Sequence, residues 1–340
     1  RGAGRIPGGG RVRHTYLLPL SVLLLTACGK EAPPPVETAS YNIDPARITV
    51  SGVSSGAMMA TQLHVAHSAL VSGAAMISGG PYYCAEGELT KGLGACMKGG
   101  DVGLQGLVEY AWHASEAREI DDVSNLVGDP VWLFLGAKDG VMHRDLTDAA
   151  SDFYAEMTAT APIVVDDVPA THGFPTVATG VACEEMVTPF LNACDYDAAG
   201  ELLSVLYGDL EPAGVASSPL VEIPQPGADD VTMLPNALAY IPEACASGTS
   251  CGVHIAFHGC QQSTAFVGDA FAAGAGYNAW AETNDLIVLY PQVDSSKIAP
   301  MNPMGCWDWW GYTDENYATR SGAQISVVKA VLDGLAGKTL

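Results

Sequence analysis

A β-branched run at 47–51 and a stretch at 57–69 with no helix breaker are separated by little more than Gly52-Val53-Ser54-Ser55-Gly56. A strand that enters a helix through so short a link must turn sharply, and the small residues around Ser54 permit it. Such a turn lifts the Ser54 side chain above the end of the strand. Further apolar strands are expected at 70–77, ending in Gly79-Gly80-Pro81, and at 131–135, 163–168, 236–241, 253–257 and 286–290. Helices are expected at 103–118, 146–158, 198–207, 270–283 and 322–335. Alternation of helices with strands that are nearly all apolar predicts an α/β fold, a mostly parallel sheet covered on both faces. The Pro- and Gly-rich stretch 208–235 reads as a surface excursion, and no internal repeat is visible.

The first 27 residues carry four Arg and no acidic residue, and 16–25 is a short, largely apolar run. A basic start, a short apolar stretch and small residues at its end read as a secretory signal over 1–27. The run is too short to span a bilayer, which needs about 20 residues. Leu25-Thr26-Ala27-Cys28 also resembles a bacterial lipobox, which implies cleavage before Cys28 and lipid on its sulfur. Residues 28–40 include Pro33-Pro34-Pro35 and read as an extended tether, so the catalytic body is expected over 41–340. The predicted location is therefore extracytoplasmic, with a membrane met only through the Cys28 anchor. The whole chain has a formal charge of −23, and without residues 1–27 it keeps 11 basic against 38 acidic residues. A surface this negative repels phosphate backbones, which argues against a nucleic-acid partner. A monomer is expected.

Apart from Cys28 there are eight cysteines, and an even number in an exported chain suggests disulfides. Cys84 and Cys96, Cys183 and Cys194, and Cys245 and Cys251 are close in sequence, which would leave Cys260 with Cys306. Eight cysteines still allow 105 connectivities. No C-x-x-C pair occurs, and no metal or other cofactor is expected.

Ser54 stands at the centre of G-x-S-x-G with a strand before it and a helix after it, the setting in which a serine acts as nucleophile. Gly248-Thr249-Ser250-Cys251-Gly252 also fits the pattern, but it precedes a strand and reads as a turn. A serine hydroxyl needs a base, and the base needs an acid to orient it. In this class of turn the chain order is Ser, Asp or Glu, then His. Asp139 follows the strand 131–135 and the turn Gly136-Ala137-Lys138; His172 lies in the loop Ala170-Thr171-His172-Gly173-Phe174-Pro175. His64 and His67 share a helix at spacing i,i+3 and read as packing or surface groups, His113 and His143 as surface groups, and His254 as part of a strand.

Eight segments taken together carry a resemblance: Ser51-Gly52-Val53-Ser54-Ser55-Gly56, Gly79-Gly80-Pro81-Tyr82-Tyr83-Cys84, Gly136-Ala137-Lys138-Asp139, His172-Gly173-Phe174-Pro175, His258-Gly259-Cys260-Gln261-Gln262-Ser263, Gly276-Tyr277-Asn278 before Trp280, Tyr290-Pro291-Gln292, and Gly305-Cys306-Trp307-Asp308-Trp309. From Tyr41 onward the chain resembles the catalytic domain of extracellular poly(3-hydroxybutyrate) depolymerases, especially the single-domain, circularly permuted α/β-hydrolase type. The resemblance implies a triad of Ser54, Asp139 and His172, and an oxyanion hole made by the backbone N–H groups of Ser55 and Cys260. His258 would shape the second loop and, with Trp307, belong to the substrate-binding residues; Trp307 would line the substrate groove. The family's disulfides match Cys245–Cys251 and Cys260–Cys306. Permutation moves the Ser54 turn to the front and the His258-Gly259-Cys260 loop late, so the strand near Ile48 should lie close to the end of the chain.

The implied reaction is hydrolysis of ester bonds in poly(3-hydroxybutyrate), related polyhydroxyalkanoates or their oligomers, through an acyl-enzyme. Many relatives carry a linker and a polymer-binding domain after the catalytic one. No such segment follows within these 340 residues, so amorphous polyester and released oligomers are the expected substrates. A carboxylesterase acting on small soluble esters, of the feruloyl or acetyl-xylan kind, would share every catalytic residue. A non-catalytic surface lipoprotein on the same fold is the other alternative.

Overall fold

A computed structural model describes residues 1–4, 8–10 and 40–337. Cys28 and nearly all of the expected leader (1–27) and tether (28–40) lie outside the described residues. In chain order the strands are β1 (Ile43–Val53), β2 (Ala74–Ile77), β3 (Val131–Phe134), β4 (Ile163–Val165), β5 (Phe174–Thr176), β6 (Val181–Ala182), β7 (Leu191–Ala193), β8 (Leu220–Pro224), β9 (Asn236–Tyr240), β10 (Cys251–Phe257) and β11 (Leu286–Tyr290). Eight of them form one sheet in the order β4-β3-β2-β1-β10-β11-β9-β8, and β5, β7 and β6 form a small second sheet. Every pairing from β4 to β11 is parallel; β9 and β8 close the sheet antiparallel.

The apolar strands divide their side chains between two cores. Ile48 and Val50 of β1, Val131 and Leu133 of β3, and Ile287 and Leu289 of β11 enter one core with Met59, Leu63, Val328 and Leu332 from helices. Their neighbours Val53, Trp132, Phe134, Val288 and Tyr290 enter the other, with Leu202 and Leu203. This is the two-residue period of a strand with both faces covered. The helix Ser55–Ala66 is buried along its whole length because it packs behind the central strand.

Several boundaries shift. The first strand starts earlier than expected, at Ile43. The helix expected over 270–283 is broken into Ala270–Gly274 and Tyr277–Thr283, since Gly276 has φ 97°. The stretch 208–235 is not only an excursion: β8 lies in it, paired with β9 from Leu220↔Tyr240 to Pro224↔Asn236. Only Ile223 of that strand is buried, so an edge strand here has little apolar signal.

The ends meet as a permuted connection requires. The Tyr41 N–H donates to the Leu335 carbonyl at 2.7 Å, at the end of the helix Ala323–Ala336. That helix thus leads back to β1, the strand that carries Ser54.

Candidate active site

Ser54 has φ 57° and ψ −120°, a conformation that costs an L-residue on the order of 1–3 kcal/mol. Close packing holds it there. A Cβ on Gly52 would sit 2.1 Å from the Gly56 carbonyl oxygen, and one on Gly56 would sit 2.4 Å from the carbonyl oxygens of both Phe257 and His258. The Ser54 N–H donates to Ile77 at 2.9 Å, which ties the turn to the end of β2. Both glycines are therefore set by contact, one within the turn and one against β10.

Asp139 stands beyond β3, in a turn whose backbone is bonded to the segment leading to His172: the N–H groups of Ala137 and Lys138 donate to Val168 and Ala170. The His172 loop is held from its other side by Thr171 N–H to Cys183 and Phe174 N–H to Phe190, both backbone bonds. Cys183–Cys194 staples the small sheet against which this loop lies.

These elements bring the three expected side chains together. His172 Nε2 lies 2.9 Å from Ser54 Oγ, and His172 Nδ1 lies 2.8 Å from Asp139 Oδ2. An ionised carboxylate only accepts, so Nδ1 carries the proton and Nε2 is free to accept from Ser54. Asp139 Oδ2 also accepts from the Ser78 hydroxyl at 2.7 Å, and Oδ1 accepts from the N–H groups of Val141 and Met142. Burial alone would raise the Asp139 pKa; the bonds from His172, Ser78 and Met142 outweigh it and hold the carboxyl below its usual value. Ser78 went unread in the sequence, although its place beside Gly79-Gly80 at the end of a strand was a usable signal.

Ser55 opens the helix after the turn, where the first N–H groups have no intrahelical partner. Cys260 lies in the loop after β10. Among the described residues neither N–H donates to a protein acceptor. Gln262 lies two residues beyond Cys260, and only the fold shows its role. Its Oε1 accepts from Gly259 N–H at 2.7 Å, while its Nε2 donates to the carbonyls of Pro189 and Phe190. It links the Cys260 loop to the segment behind His172.

Cys260–Cys306 joins that loop to the segment ending in Trp307; Cys84–Cys96 and Cys245–Cys251 complete the four disulfides. Ser250 is in the turn beside Cys251, away from the sheet's carboxyl end where Ser54 lies. Among the described residues no three His, Cys, Asp or Glu side chains converge as metal ligands.

Two expectations are corrected. Trp307 does not line the groove: it is fully buried, its indole N–H donates to the His258 carbonyl, and it packs edge-on against Phe257. The groove wall is formed instead by Trp309 and Trp310. His258 does not face substrate either. It is completely buried, with Nδ1 donating to the Gly259 carbonyl and Nε2 accepting from Val293 N–H. Burial pushes its pKa down to about 4, so it is a neutral brace for the loop.

Two cavities flank Ser54. One, of about 350 Å³, is lined by Ser54, Ser55 and Cys260 with largely apolar side chains; the other, of about 190 Å³, is lined by Ser54, His172, Phe190 and Cys260.

A strained serine at the carboxyl end of a central parallel strand, bonded to a histidine that is oriented by a buried aspartate, defines a serine hydrolase of the α/β-hydrolase class. No family model matches the chain. It is 36% identical over 315 residues to a poly(3-hydroxybutyrate) depolymerase of Delftia acidovorans, covering 89% of this chain and spanning 62% of that protein's length. It is 30% identical over 341 residues to a polyhydroxybutyrate depolymerase of Talaromyces funiculosus, covering 94% of this chain and 99% of the relative. Among solved structures, a PHB depolymerase from Penicillium funiculosum superposes with a TM-score of 0.84 at 29% identity, over 89% of this chain and 99% of that one. A serine-to-alanine PHB depolymerase complexed with an R3HB trimer superposes equally well. The chain belongs to the polyhydroxybutyrate depolymerase family.

Proposed function

We propose that this protein hydrolyses ester bonds of poly(3-hydroxybutyrate) and its oligomers with Ser54 as nucleophile. The observation that carries the reading is the Asp139–His172–Ser54 chain of hydrogen bonds, set between two cavities that can hold ester on either side of the reacting carbonyl. Ser54 Oγ attacks the carbonyl carbon while His172 Nε2 takes its proton. Asp139 keeps His172 in the productive tautomer and balances the charge that forms on it. The oxyanion is held by the N–H groups of Ser55 and Cys260. His172 returns the proton to the departing alcohol oxygen, and water attacking the acyl-enzyme repeats the sequence in reverse roles.

Four disulfides fit a protein that works in an oxidising compartment. We extend the reading to export through the leader at 1–27, a tether at 28–40 ahead of a catalytic body over 41–340, lipid on Cys28, and a monomeric enzyme.

The test compares wild type with Ser54→Ala for soluble products from amorphous poly(3-hydroxybutyrate), with a short p-nitrophenyl ester in parallel. Polymer hydrolysis by wild type alone is expected. Ester cleavage without polymer release would replace the proposal with the small-ester reading, and activity surviving in Ser54→Ala would remove the nucleophile.

A further inference from the structure

The two cavities beside Ser54 differ in the one feature that decides which half of an ester each can take. In acyl transfer the bond from Ser54 Oγ to the carbonyl carbon forms and the bond from that carbon to the alcohol oxygen breaks. The Ser54 proton passes through His172 Nε2 to the departing oxygen, so the alcohol half must lie beside His172. His172 lines the cavity of about 190 Å³. The cavity of about 350 Å³ is lined by Ser54, Ser55 and Cys260 but not by His172, so it receives the acyl half.

The acyl-side wall is built from Met58, Met97, Met142, Met301 and Met304, half of the chain's 10 methionines. Met58 and Met142 are buried in its floor, while Met301 and Met304 are 64% and 44% exposed at its rim. Behind the rim the backbone is pinned. Asn302 exchanges two hydrogen bonds with the backbone of Cys306, the Met304 carbonyl accepts from Gln261 N–H, and Cys306 is bonded to Cys260. Freedom is thus concentrated in unbranched side chains, which fill gaps of varying shape. Surfaces of this kind repack around ligands of different size. The alcohol side has fewer such side chains: Met97, which it shares with the acyl side, and Met186 at its rim. Its volume is about half, and the Gly259 and Phe190 backbone that bounds it is clamped by Gln262.

We propose, resting on the polyester reading above, that the acyl side admits 3-hydroxyacyl units with side chains longer than methyl, up to propyl, and that the alcohol side does not. Copolymers of 3-hydroxyalkanoates are then cut where the longer unit supplies the carbonyl.

Three dimers of (R)-3-hydroxyacids test this with the purified full chain: the butyrate dimer, one with hexanoate as the acyl unit, and one with hexanoate as the alcohol unit. The acyl-substituted dimer should keep kcat/KM within a few-fold of the butyrate dimer. The alcohol-substituted dimer should fall by roughly 10–200-fold or more, the penalty for each methylene that a pocket does not accommodate. Met301→Ile with Met304→Ile replaces flexible side chains by stiff ones of similar size. It should lower the acyl-substituted to butyrate ratio by roughly 10-fold, the lower end of that penalty. Equal losses for the two substituted dimers, or an unchanged ratio in the Ile variant, overturn the inference while leaving the polyester reading in place. Failure to cleave the butyrate dimer, with a small ester still turned over, overturns both.

Discussion

Cys260→Ala with Cys306→Ala separates what the disulfide does for the fold from what it does for the reaction. The two cysteines are 46 positions apart. The chain-entropy relation for a loop of that length gives about 4 kcal/mol of stabilisation lost when the link is removed. Backbone N–H groups survive the substitution, so the donor proposed at Cys260 remains chemically present. Its position, however, depends on three restraints: the disulfide, the Gln261 N–H bond to Met304, and the Gln262 bond to Gly259. Loss of one oxyanion donor costs about 10²–10³ in turnover. With one restraint gone and two kept, kcat on a p-nitrophenyl ester should fall by roughly 10–100-fold, short of that limit. The control is Cys245→Ala with Cys251→Ala, a link of separation 6 at the amino end of β10. It should cost about 2 kcal/mol and leave kcat unchanged. Urea unfolding gives the stability, and kcat is measured at low temperature where both variants are folded. A Cys260 and Cys306 variant that loses the stability yet keeps wild-type kcat would refute the idea that this disulfide positions the oxyanion loop.

Asp139→Asn should lower kcat by about 10³–10⁴-fold with little change in KM, because an amide no longer selects the Nδ1–H tautomer of His172; a loss below 10-fold, judged on the same scale, would contradict the assigned role. Trp307→Phe removes the donor to the His258 carbonyl and should reduce kcat and stability together, by about 1–3 kcal/mol for the latter, whereas Trp309→Ala in the groove wall should act mainly on KM. If the two variants show the opposite pattern, Trp307 touches substrate after all. Burial holds His254 near a pKa of about 3 and His258 near about 4, against 6.5 when unfolded. Both stay neutral in the fold while the unfolded chain takes up protons. The stability they contribute is therefore fully present above pH 6.5 and lost as pH falls toward 4, with a slope on the order of 3 kcal/mol per pH unit. A urea midpoint that stays flat from pH 6.5 to 4.5 would show that these two imidazoles are not kept neutral by the fold.

Ser54 and its turn were legible in the sequence because the signal is local. A strand, a helix and two glycines within a few residues leave one geometry, and the contacts of Gly52 and Gly56 show why. The α/β class was legible too, since strands buried on both faces are apolar at nearly every position. Asp139 and His172 were read from chain order and family resemblance, and no local feature separates either from an ordinary loop residue. The edge strand Leu220–Pro224 was missed because one buried side chain leaves no periodic trace.

Exposure was the part that only tertiary structure decided. Trp307 and Trp309 are two residues apart, yet one is sealed behind the His258 carbonyl and the other faces the groove. Which five of ten methionines share one wall likewise depends on segments from distant parts of the chain meeting at Ser54. Backbone sterics act within a few residues, so a sequence carries them openly. The burial of a side chain depends on what packs against it, and that is set only when the sheet has brought those segments together.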